Sequence, residues 1–262
     1  MSDERDPHWF PEAGERVDPM VSARLGQKAP LPKRFYSAAR AEPQSGGFGL
    51  TLDGRLAHTP AKTPIVVPAR PVAEAIAAEW EAQREVIDPS TMPVTRIVNT
   101  ALDGVSRRMA DVAEETARYA GSDLLCYRAG DPSRLVARQS QMWDPVLAWA
   151  RDTLGAQFVL SEGIVYAEQP EPALRAVRRA VDAYDEPLEL AALATMTSLM
   201  GSVLLALAVA HGRLTPEQAW AAAHVDEDFQ MEVWGLDEEA EIRRSRRWSD
   251  MQAAAKLLRL LR

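Results

Sequence analysis

The 262-residue chain is 47% hydrophobic and 26% charged, the proportions of a globular protein able to bury a sizeable core. A net charge of −8 argues against nucleic acid and against an anionic membrane surface, since both need clustered Lys and Arg. One cysteine leaves no internal disulfide and suits a reducing compartment.

The first residues, Met1 to Asp6, are acidic and lack an apolar run, so we expect neither a signal nor a transit peptide and place the protein in the cytoplasm. Residues 1–32 carry scattered charges and several Pro, which reads as an arm ordered in part by Trp9 and Phe10. Residues 33–69 read as a small antiparallel β domain of three or four strands. Phe35 and Tyr36 begin its first extended run. Ser45-Gly46-Gly47 makes a turn, and Asp53-Gly54 carries a hairpin signal after the alternating run Phe48 to Leu52. Ile65-Val66-Val67 closes the set. So small a sheet cannot bury a core alone and must pack on something.

From residue 70 to 262 the periodicity is helical, so the fold class is α+β, with a larger all-helical domain after the β unit. Pro71 suits a first turn, and Val72, Ile76, Ala77 and Trp80 form one apolar stripe. Helices follow from Pro93, from Met109 and from Ser133. The last of these should break or kink at Pro145. Phe158–Leu160 and Ile164–Tyr166 read as short strands or extended linkers, and Pro172–Ala183 as helix. No charge occurs from Leu190 to Ala210. That run is long enough to cross a bilayer, but its Thr and Ser content and its flanks without aromatic or basic belts point to one central buried helix. Thr215-Pro216 opens a helix running to Trp234, and the last helix starts near Asp237, acidic first and basic later, as the helix dipole prefers.

A search for catalytic chemistry selects nothing. The four His show no ligand spacing and no Cys pair exists, so no metal site is expected. Cys126 sits in an apolar run, where cysteine normally packs. Gly46-Gly47-Phe48-Gly49 precedes no helix and so lacks the helix N-terminus that phosphate capture uses. Carboxylates are plentiful, which leaves a carboxylate-dependent hydrolase as the alternative function. The unusual stretch is Val225 to Gly235. It sets Asp226, Glu227, Asp228 and Glu232 among Phe229, Met231, Val233 and Trp234, and no basic residue occurs from Asp226 to Glu241. Like charges this close destabilise a helix unless cations arrive from elsewhere. The stretch reads either as an amphipathic helix with an acidic outer face, ended by Gly235, or as a docking surface for a partner.

Six motifs then occur in order: Lys33-Arg34-Phe35-Tyr36, Thr51 to Arg55 with Thr59-Pro60, Ala78-Glu79-Trp80, Asp123 to Arg128, Trp143-Asp144-Pro145, and Gln230-x-x-x-Trp234-Gly235. Each is short, but in register they resemble the chaperone family that assembles the F-type ATP synthase by binding the α subunit of its catalytic head. The resemblance implies a small β domain followed by a helical one. It also implies no catalysis, no cofactor, transient binding of the α subunit, and a monomeric bacterial member. Carried over residue by residue, it implies partner contacts at Asp226, Glu227, Asp228, Gln230, Glu232 and Trp234, with Glu227 and Glu232 favoured for their longer reach. It implies structural roles for Phe35, Tyr36, Glu79, Trp80, Asp123, Cys126, Tyr127, Arg128, Trp143, Asp144, Pro145 and Gly235.

Overall fold

Turn chemistry builds the sheet. Strands Ala39–Gln44 (β1) and Gly47–Leu52 (β2) pair antiparallel, closing on Gln44 opposite Gly47. Gly47 has φ +146°, and a Cβ there would collide with the Val67 carbonyl. Arg55–Leu56 (β3) returns through Asp53 (φ +49°) and Gly54 (φ +78°), two successive positive φ values that match strand twist. Val66–Val67 (β4) pairs with the start of β2 and completes a four-stranded sheet. A computed structural model describes residues 31–163, 165–235 and 238–262. The arm expected over residues 1–32 lies outside these except for its last two positions, as do Ile164 and Asp237. The first strand begins three residues after Tyr36, not at Phe35. Tyr36 is drawn inward because its hydroxyl donates to the Trp80 carbonyl (2.6 Å), which leaves Phe35 72% exposed.

Helix Arg70–Glu81 (α1) covers the sheet with Val72, Ala73, Ile76 and Ala77. The Glu79 carboxylate accepts the Val94 and Thr95 amides (2.8 and 2.7 Å) and so caps Pro93–Asp103 (α2). Met109–Arg118 (α3) follows. Ser133–Trp149 (α4) runs through Pro145 without the expected break. It is anchored on both sides of the proline, by Trp143, whose Nε1 donates to the Ala222 carbonyl (2.7 Å), and by buried Val146. The irregularity comes later, as a widened π turn over Ala150–Leu154 that ends at Gly155. Tyr127–Arg128 (β5) pairs in parallel with Ser161–Glu162 (β6).

Glu171–Asp182 (α5) precedes Pro187–Met200 (α6) and Val203–Ala210 (α7). The expected single apolar helix is thus two, because Gly201 turns left-handed (φ +65°) and the Ser202 hydroxyl accepts the Leu205 amide (3.0 Å). No described helix is long and apolar enough to cross a membrane. Pro216–Ala223 (α8) opens with a Thr215–Gln218 capping box, then yields at His224 to Val225–Trp234 (α9). The expected helix to Trp234 is therefore also two. The break leaves His224 buried, with its ring Nδ1 2.8 Å from the Trp220 carbonyl. Glu238–Leu261 (α10) packs chiefly on α6 and also touches α1 and α2. One hydrophobic cluster runs from Tyr36 and Leu50 in the sheet, through Leu204, Leu205 and Leu207 of α7, to Leu257.

Candidate site on the acidic helix

Helical arithmetic sorts the acidic stretch into three faces. Positions 226, 229 and 232 turn toward α4. Asp226 accepts from Gln139 Nε2 (2.7 Å), Glu232 accepts from Arg134 (3.0 Å) and Arg138 (2.7 Å), and the Arg134 guanidinium lies 5.9 Å from the Phe229 ring. Positions 228 and 231 turn toward α10, where Arg244 pairs with Asp228 and reaches the Met231 sulfur (3.9 Å). Glu227, Gln230 and Trp234 look into a cleft of about 460 Å³ between α9 and α10. Its far wall carries Arg243, Arg244 and Arg247. The cations that the crowded acids require thus arrive from two other helices.

Of the four acids proposed for docking, three have partners within the chain. Glu227 stands apart, with its carboxylate 3.9 Å from His224 Nε2 and mostly in solvent. Burial holds the His224 imidazole below its ordinary range, although Glu227 pulls the other way. The same ring lies 4.0 Å from that of Trp220, which in turn meets Trp248 at 5.4 Å. This aromatic stack floors the start of α9. At its other end Trp234 is 86% exposed and Val233 55%, and Gly235 (φ +94°) turns the chain away.

The remaining motif residues lie elsewhere. Tyr36 and Trp80 meet at 5.6 Å between the sheet and α1. Asp123 is fully buried and accepts the Leu125 and Leu204 amides (3.1 and 3.2 Å), which ties the start of α7 to the segment before β5. Burial raises its pKa to about 6. Burial likewise pushes the Cys126 thiol up to about 12, so it stays protonated at neutral pH. Arg128 donates to Asp144 (2.7 Å) and lies over Trp143 at 5.2 Å. Among the described residues no cluster of His, Cys, Asp and Glu could hold a metal ion.

Comparison with known proteins agrees with this architecture. The profile of the family described as "ATP12 chaperone protein" matches residues 33–151. Protein atp12, mitochondrial, of Schizosaccharomyces pombe is 24% identical over 229 residues, covering 81% of this chain and 78% of its own. The crystal structure of Atp12 from Paracoccus denitrificans superposes with a TM-score of 0.81 at 38% identity, over 88% of this chain and 99% of that one. The chain belongs to the ATP12 chaperone family. The Atu1473 protein of Agrobacterium tumefaciens is similar as well, at 51% identity and TM-score 0.85, over 94% of this chain and 92% of that one.

In this member of the ATP12 family the acidic helix is legible in the sequence but its supports are not. Arg134 and Arg138 lie nearly a hundred residues upstream, and no local pattern links them to Glu232. The available signal was indirect, a run of acids that needed cations. Arg243, Arg244 and Arg247 were visible only as a basic patch suited to the helix dipole.

Proposed function

We propose that this chain holds the unassembled α subunit of the F-type ATP synthase head soluble until the β subunit displaces it. Membership of the ATP12 family makes it a chaperone of ATP synthase assembly, and we read it as acting by binding and not by turnover. An α subunit awaiting β exposes a large apolar interface, and such patches drive aggregation. A partner that covers the patch but binds less favourably than β suppresses aggregation without blocking assembly.

The observation that carries the contact site is the exposure of Trp234 and Val233 at the end of α9. A Trp offers roughly 150–250 Å² of surface to cover, and Trp is a common interface anchor. Glu227 and Gln230 share that edge and would orient the client. Asp226, Asp228 and Glu232 act one step back by holding α9 in place. We read the chaperone as a cytoplasmic monomer. The hydrolase alternative has only unassigned carboxylates behind it, and three of the four clustered ones hold α9 to its neighbours.

The test is to dilute denatured α subunit into buffer with and without the chaperone and to follow light scattering. Scattering should fall in the presence of chaperone, and added β should release α from it. Equal aggregation with folded chaperone present would overturn the proposal. A complex of fixed ratio that β cannot dissociate would instead indicate a permanent subunit.

A further inference from the structure

The cleft between α9 and α10 has a chemistry of its own, beyond the acids of α9. One wall is the exposed indole of Trp234 with Gln230 and Met231, and the other is a row of arginines on α10. These arginines differ in how firmly they are held. Arg244 is matched by Asp228. Among the described residues Arg243 pairs with Glu239, one turn earlier at 3.4 Å, in a pair exposed on both sides. Such pairs contribute little and are readily exchanged. Arg247 donates to the Leu199 carbonyl (2.6 Å) and lies 6.0 Å from the Trp220 ring, and no carboxylate among the described residues pairs with it. Against these two guanidiniums, Glu227 is the one carboxylate among the described residues that line the cleft. The cleft therefore favours an anion beside an apolar group.

We propose that this cleft takes an extended segment of the α subunit in which a carboxylate neighbours a large apolar side chain. The apolar group lies on Trp234, and the carboxylate exchanges Glu239 for a forked contact with Arg243, assisted by Arg247. A guanidinium suits this role because it grips a carboxylate through two parallel N–H donors. Glu227 at the inner end disfavours a second acid and so gives the segment a direction. The inference rests on α as the client and adds the chemistry of the segment that α offers.

Short overlapping peptides tiling the α subunit, titrated against the full chain by fluorescence anisotropy, test it. The expected binders combine Asp or Glu with Leu, Ile or Phe. Arg243→Glu should weaken them about tenfold or more, Arg243→Lys only slightly, and replacing the peptide's acid with Lys should restore binding to Arg243→Glu. Arg243 lies on the surface, so circular dichroism of the variants should match the parent. If the parent holds α while Arg243→Glu and Trp234→Ala hold it equally well, the cleft assignment fails and the functional reading survives. If the parent does not hold α, both fail. A dimer in solution that Trp234→Ala dissociates would make a second copy the occupant and would also overturn the proposal.

Discussion

At the scale of single residues, burial and exposure separate the motif positions into two kinds. Trp234 is exposed, so Trp234→Ala should leave the thermal midpoint within about 1–2 °C while abolishing protection of α from aggregation. Glu79 is the opposite case, because its carboxylate caps α2 through two amides and the Thr95 hydroxyl. Glu79→Ala should cost about 1–2 kcal/mol in urea denaturation. Asp123 makes a pH prediction. Its pKa is raised to about 6 in the folded chain against about 4 when unfolded. The folded state therefore keeps this proton where the unfolded state has lost it. The stabilisation is fully present below about pH 4 and is lost as pH rises through about 6. Comparing Asp123→Asn with the parent by denaturation across pH 4–6.5 isolates the effect. The parent should lose on the order of 2–3 kcal/mol relative to the variant over that window.

Among the elements, α9 is the one whose position depends most on others. Its sequence carries three acids in the first turn and no base, so its own charges repel. Arg134 and Arg138 hold it from α4 and Arg244 from α10. Glu232→Arg should put three guanidiniums together, destabilise α9 by about 1 kcal/mol and speed amide exchange there. Adding Arg138→Glu should recover part of the loss, which a simple packing defect would not. The breaks at Gly201 and His224 show what periodicity alone passes over. The Met200-Gly201-Ser202 sequence contains a helix stop followed by a cap, legible in principle but hidden within an unbroken apolar run. His224 carries no such local signal. Its break comes with burial of the imidazole against Trp220.

For the whole molecule, the change from strand to helix near residue 70 divides the chain topologically, and we retain it as the proposed boundary between a β unit and a helical unit. The hydrophobic cluster nevertheless crosses it, since α1 covers the sheet while touching α2 and α10. Near- and far-ultraviolet circular dichroism should therefore report one coincident unfolding transition, not two. Much of this organisation was legible in the sequence. Asp53-Gly54 and Gly46-Gly47 demanded turns, period-two and period-3.6 patterns separated strands from helices, and the six motifs named the family. These are local properties, set by backbone sterics and by which side chains avoid water. The sequence by itself also marked Val225 to Gly235 as acidic and apolar at once. Only the tertiary structure decided which of those acids remain available. The partners of Asp226 and Glu232 lie 87 to 98 residues away, and such separations leave no periodic trace. Packing of α4 and α10 against α9 neutralises Asp228 and Glu232, ties Asp226 to the Gln139 amide, and leaves Glu227, Trp234 and the arginine wall facing the cleft.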